Sequence, residues 1–128
     1  MKASRATFLL VIVGLLAPAM SLATPPPKAK QEIDALIGAL PASKCEFQRN
    51  GKWYGAADAR SHLQRKYDYL LKKNLVDTAE QFIERAASES SMSGREYRVR
   101  CPGQGEQSSE TWFRAQLQRL RGSGVPPR

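Results

Sequence analysis

His62 is the sole histidine of the 128-residue chain, four residues after Asp58 and four before Lys66. On a helix that spacing stacks the three side chains on neighbouring turns of one face. A carboxylate that orients an imidazole beside a hydroxyl is the arrangement used in acid/base and nucleophilic catalysis. Asp58 and His62 are therefore a candidate acid/base pair. No G-x-S-x-G nucleophile elbow accompanies them. The plainer reading of His62 is a helix-face histidine bonded to a carboxylate or a backbone group, and no residue is assigned a catalytic role.

Metal chemistry has even less to work with. One histidine and two cysteines leave no cluster at ligand spacing, and the scattered acidic residues form no D-x-[DN]-x-[DN]-G loop. The serine-rich run 88–94 lacks the G-x-x-x-x-G-K pattern of a phosphate cradle. No cofactor is implied. What remains is a basic patch interleaved with aromatics: Arg49, Lys52, Trp53 and Tyr54 flank Asn50-Gly51, and His62 and Lys66 follow on the next element with Arg60, Arg65, Lys72 and Lys73. Guanidinium groups pair with anionic oxygens while aromatic faces stack, so Arg49, Lys52, Trp53, Tyr54, His62 and Lys66 make a candidate binding surface for polyanion or carbohydrate. The competing reading has Trp53 or Tyr54 packed on the core, with the charges forming a solvated face.

These residues need elements to position them. Ile33, Leu36, Ile37 and Leu40 recur at helical spacing from Lys30, and Pro41 is expected to stop that helix. Cys45 and Phe47 then alternate with polar residues, and Asn50-Gly51 supplies a hairpin turn before Lys52-Trp53-Tyr54. A second helix is predicted from Gly55 to about Lys73, burying Ala59, Leu63, Tyr67 and Leu70 and ending at Asn74. Asp77 and Glu80 have capping-box spacing, which predicts a third helix over about 78–88 with Phe82, Ile83 and Ala86 inside. Tyr97, Val99 and Cys101 alternate as a strand, and Ser108 or Ser109 caps a last helix carrying Trp112, Phe113, Leu117 and Leu120. The expected fold class is α+β: a small antiparallel sheet, made of the hairpin plus one later strand, covered by about four helices. The later strand is expected beside the one that starts near Cys45.

The chain's opening constrains where this domain works. Lys2 and Arg5 precede a short apolar run over residues 8–17, and Ser21-Leu22-Ala23 follows Pro18. That order is a secretory signal, so residues 1–23 are expected to be removed after Ala23 and the protein to be periplasmic or secreted. The run falls well short of the roughly 20 residues that span a bilayer, so no transmembrane segment is expected in the mature protein. Residues 24–29, with Pro25, Pro26 and Pro27, read as an extended spacer, 30–121 as a single domain, and 122–128 as a disordered tail. Cys45 and Cys101 both fall in the mature part, where an oxidising compartment favours one intramolecular disulfide. Two free thiols or an intermolecular bridge are the alternatives. Loss of Lys2 and Arg5 lowers the formal charge from +8 to +6. In the envelope a basic domain meets anionic headgroups and wall polymers, and the compartment disfavours nucleic acid.

Taken together, Cys45-x-Phe47-x-Arg49-Asn50-Gly51, His62-Leu63-x-x-Lys66-Tyr67, Ala79-Glu80-x-Phe82-Ile83 and Ser91-x-Ser93-Gly94-x-x-Tyr97-x-Val99-x-Cys101 resemble the YfeK-type family of small exported bacterial proteins, a domain of unknown function. Trp112 fits the same pattern. Gly55 departs from it, at a helix start where the family more often carries a hydroxyl residue. The resemblance spans about residues 33–120 and implies an exported domain with a paired-cysteine framework. It transfers no reaction, cofactor or substrate. The leading expectation is a nonenzymatic domain that binds an envelope protein or an anionic envelope component. The rival is a small envelope-acting enzyme using Asp58 and His62, and a basic regulator of an acidic envelope enzyme is a third reading.

Overall fold

The computed structural model describes residues 11–14 and 25–122. The predicted n-region, the Ser21-Leu22-Ala23 cleavage site and the tail beyond Gly122 lie outside the described residues. Helix α1 (Pro27–Ser43) starts inside the segment expected to be a proline-rich spacer. Pro27 occupies the first helical turn, where its missing N–H would have had no partner and its fixed φ already suits a helix. Nor does Pro41 end α1. The chain keeps its helical course to Ser43, whose hydroxyl donates to the Leu40 carbonyl (2.7 Å), and turns away at Lys44 with φ 58°. In the last turn proline removes only one intrahelical hydrogen bond, and here the left-handed residue after Ser43 sets the stop.

Strands β1 (Glu46–Arg49) and β2 (Lys52–Tyr54) form the predicted hairpin, with Asn50 at φ 49° and Gly51 at φ 81°, the pair of positive angles a two-residue turn demands. Strand β3 (Arg98–Arg100) pairs antiparallel with β1, placing Val99 opposite Phe47, and β4 (Gln107–Ser108) adds a fourth strand that the sequence does not announce. The order is β2-β1-β3-β4. Because Glu46 faces Arg100, the residues one step beyond, Cys45 and Cys101, meet in register, and they are joined by a disulfide.

Helix α2 (Ala56–Lys72) follows Gly55 and is terminated through Asn74 at φ 56°. Helix α3 (Ala79–Ala86) is capped one residue later than the Asp77–Glu80 spacing suggests. The Thr78 hydroxyl accepts from the Gln81 amide (3.1 Å), and the Gln81 side chain accepts from the Asp77 amide (2.7 Å). Threonine and glutamine thus take the reciprocal roles, and α3 is shorter than the predicted 78–88. Helix α4 (Ser109–Gly122) opens where the Ser108 hydroxyl accepts from the Thr111 amide (3.1 Å). Of its expected core residues, Trp112, Phe113 and Leu117 are buried, but Leu120 is exposed.

Ile33, Leu36 and Leu40 of α1, Leu63 and Tyr67 of α2, Phe82 and Ile83 of α3 and Phe113 of α4 fill one core, closed by Phe47 and Val99 from the inner sheet face. Arg121 ties three helices together by pairing with Glu32 of α1 (2.7 and 3.0 Å) and with Glu80 of α3. The α+β class, the helical cover and the single disulfide agree with the sequence reading. None of the described helices is long and apolar enough to cross a membrane.

Candidate functional site

The register of the hairpin decides which of its side chains can meet α2. Phe47 pairs with Tyr54, and Arg49 pairs with Lys52. All four therefore share the helix-facing side of the sheet, because alternate residues of a strand point the same way. Trp53 pairs with Gln48 and so belongs to the opposite face, where the Arg100 guanidinium lies 4.0 Å from its ring centre. Of the six surface candidates, Arg49, Tyr54, His62 and Lys66 converge. Lys52 is exposed, with its ammonium 5.4 Å from the Tyr54 ring centre, and Trp53 is turned away.

The centre of the convergence is His62. Its Nδ1 lies 2.6 Å from Arg49 Nη1, and its Nε2 lies 2.9 Å from the Tyr97 hydroxyl. A guanidinium only donates, so Nδ1 must present its lone pair and the ring proton must sit on Nε2, from which it is donated to Tyr97. Lys66 Nζ also donates to the Tyr97 hydroxyl (3.2 Å) and to the Glu89 carbonyl (2.9 Å). The Tyr97 oxygen thus accepts twice, which leaves its own proton to donate. Arg49 Nη2 donates to the Tyr54 hydroxyl (3.4 Å), and that phenol likewise keeps its proton for another acceptor.

Charge states follow from this packing. Burial, reinforced by the positive charges of Arg49, Lys66 and Arg65, pushes His62 down to about 4, so the imidazole is neutral at physiological pH. Burial also pushes Lys66 down to about 8, against the pull of Glu89. The Tyr97 phenol is raised by burial, whereas the Arg49 hydrogen bond lowers that of Tyr54. The expected Asp58–His62 pair is not formed: both ring nitrogens are taken by Arg49 and Tyr97, and Asp58 sits exposed at the mouth of the same cleft. The i,i+4 spacing correctly places them on one helix face, but the better partner for a neutral imidazole came from the sheet.

The residue missed in sequence was Tyr97. Its alternation with Val99 reads only as a strand, and the ring is buried. A buried tyrosine hydroxyl usually requires a polar partner, and that was the available signal. The residues around Tyr97, Arg49 and Tyr54 line a cleft of about 260 Å³ whose apolar wall includes Phe47, Ala59 and Leu63. The serine-rich loop stands beside the hairpin rather than in this cleft, with the Ser93 hydroxyl donating to Asn50 Oδ1 (2.6 Å). Among the described residues no group of three His, Cys, Asp or Glu side chains could hold a metal ion.

The depressed His62 value carries a stability consequence with a definite sign. Above pH 6.5 the imidazole is neutral in both folded and unfolded chains. Below 6.5 the unfolded chain takes up the proton first, so stability should fall as pH drops from 6.5 through about 4. Discounted for partial solvent screening, the loss attributable to His62 is roughly 1–2 kcal/mol. Urea titrations at pH 6.5 and 4 should show it as the difference between wild type and His62→Gln, whose amide can serve both neighbours without titrating. Parallel pH dependence in the two proteins would contradict this assignment.

Residues 27–121 match the family of unknown function DUF5329. Over 66 residues the chain is 42% identical to "Uncharacterized protein YfeK" of Salmonella typhimurium, an alignment that takes in 51% of this chain and 53% of that protein. The chain therefore aligns with only about half the length of this relative. No solved structure matches it. The family match contains every element from α1 to α4 except the final residue of α4, together with both cysteines and the whole Arg49–His62–Tyr97–Lys66 cluster. This chain belongs to the DUF5329 family.

Proposed function

We propose that the chain is an exported, nonenzymatic binding domain that takes an anionic group of an envelope component or partner in the cleft between the hairpin and α2. The observation that carries this reading is the fixed guanidinium of Arg49, held by His62 Nδ1 on one side and Tyr54 on the other. Its partners are neutral acceptors, so its charge is not cancelled by a contacting carboxylate. Two phenol protons stand beside it, and charge-assisted bonds from such donors to an anion are the strong class of hydrogen bond. Export draws support from the signal-like residues 1–23 and from the disulfide. The acid/base alternative loses its support, because a His62 pushed to about 4 and bonded at both nitrogens has neither the proton affinity nor a free nitrogen for that task.

Protein taken from a periplasmic extract should have the intact mass of residues 24–128, and a mass that includes residues 1–23 would contradict cleavage. In that protein, titration with inorganic phosphate or acetate, followed by amide NMR shifts, should perturb Arg49, Tyr54 and Tyr97 together. Arg49→Gln should weaken binding by about tenfold or more, the scale of one lost charged hydrogen bond. Affinity should decline above about pH 8 as Lys66 loses its proton behind Tyr97. Binding that is indifferent to Arg49→Gln would remove the cleft from consideration.

A further inference from the structure

We propose that the natural occupant of this cleft is the free C-terminal carboxylate of a peptide whose last side chain is apolar. The inference rests on the anion-binding reading and narrows it. The ionic groups lining the cleft are two guanidinium groups, Arg49 and Arg65, and one carboxylate, Asp58, with His62 neutral and the Lys66 ammonium adding a further positive charge behind Tyr97. With its cations behind and its carboxylate at the mouth, the cleft suits a monoanion. A phosphate dianion would bring its second charge toward Asp58, where like charges repel.

The donors have the matching geometry. Arg49 presents a planar fork already anchored at Nη1 and Nη2 by His62 and Tyr54, and carboxylates are bound best by such rigid, planar donors. Tyr97 is the second donor, its oxygen saturated by His62 and Lys66 so that only its proton is left to give. A carboxylate has two oxygens to accept from these groups, and capture of a terminal carboxylate is a recurrent mode of peptide recognition.

The remaining lining argues against a bare ion. Phe47, Ala59 and Leu63 supply an apolar wall directly beside the donors, and burial of an aliphatic side chain there is favourable. The volume of about 260 Å³ lies below the roughly 300 Å³ at which pockets begin to enclose drug-sized ligands. One terminal residue fits that scale better than a polymer segment. Asp58 has no side-chain hydrogen bond or ion pair among the described residues, and it is the one anionic acceptor lining the cleft able to receive the backbone N–H of the entering chain.

The test uses the full protein as purified and four probes: acetyl-Ala-Leu with a free carboxylate, the same peptide as its C-terminal amide, acetyl-Ala-Asp, and inorganic phosphate. Acetyl-Ala-Leu should bind at least about tenfold more tightly than its amide, because the amide leaves the guanidinium without its counter-charge. It should also exceed acetyl-Ala-Asp, which sets a second carboxylate against the apolar wall. Arg49→Gln should abolish the preference for acid over amide, and Asp58→Asn should weaken acetyl-Ala-Leu by a smaller factor. Equal binding of acid and amide overturns the proposal. Phosphate binding that depends on Arg49, with no binding of acetyl-Ala-Leu, also overturns it but leaves the anion cleft standing. If no probe binds at Arg49, both readings fall. Circular dichroism of each variant identifies any loss that reflects unfolding, and for a variant that unfolds, Arg49→Lys provides the folded comparison: it keeps the charge but not the fork, and should still reduce the preference.

Discussion

Replacing Cys45 and Cys101 together with serine is expected to destabilise the protein by roughly 2–5 kcal/mol. The two residues are 56 apart in sequence, so the bond closes a loop that contains the hairpin, α2, α3 and β3. By the chain-entropy argument, closing a loop of that length is worth about 4 kcal/mol through restriction of the unfolded chain. Small domains have total stabilities of about 5–15 kcal/mol, so the bond is a large share of the margin. Cys45 is buried against the core, and serine there would add a hydroxyl in an apolar environment. The measurement is a thermal melt with and without reductant, together with thiol titration of the unfolded, unreduced protein. Two reactive thiols per chain, or an unchanged melting temperature after reduction, would contradict the expectation. The site should feel the loss too, because β1 carries Arg49 and Tyr97 directly precedes β3, the two strands that the bond ties together.

Local chemistry made much of this fold legible. Asn50-Gly51 names its own turn because both positions need positive φ, and both have it. Ile33, Leu36, Ile37 and Leu40 repeat at helical spacing and are all buried. Failures came where two local signals competed or where a segment was too short to show a period. Pro25, Pro26 and Pro27 read as an extended spacer and Pro41 as a helix stop, yet Pro27 starts α1 and Pro41 is tolerated in its last turn. Strand β4 has two residues, too few for alternation, and exists because β3 offers it an edge.

For the site, residue types were legible and partners were not. Arg49, Tyr54, His62 and Lys66, singled out from the hairpin and the face of α2, lie together in the structure. The partner of His62 was sought four residues away at Asp58, however, and found 13 and 35 residues away at Arg49 and Tyr97. Side-chain spacing within a helix reports only that helix. The sheet register, which turns Arg49 inward and Trp53 outward, depends on pairing across the hairpin, and counting the hairpin as one surface joined two opposite faces.

Phe82→Ala should be the most damaging single truncation, at about 3–5 kcal/mol. Phe82 is fully buried, and it meets Tyr67 of α2 and Phe113 of α4 edge to face, with ring centres 5.7 and 6.4 Å apart. Helix α3 has only eight residues, too few to hold itself by helical hydrogen bonding alone, so its place depends on this ring and on Ile83. Alanine would remove the ring and leave a cavity among α2, α3 and α4, and because Arg121 already ties α4 to α3 and to α1, collapse of the helices into that space is limited. Urea unfolding monitored by circular dichroism should show a lower midpoint with little change in slope. Phe82→Leu should recover more than half of the loss. A contrasting change tests whether ring packing, rather than polar contact, holds this region: the Tyr67 hydroxyl is buried without a hydrogen-bond partner among the described residues. Tyr67→Phe deletes that unsatisfied group and keeps the ring against Phe82, so it should be neutral or stabilising by up to about 1 kcal/mol. A large loss in Tyr67→Phe, or a loss below about 1 kcal/mol in Phe82→Ala, would mean that the contacts among α2, α3 and α4 are not the ones that hold the core together.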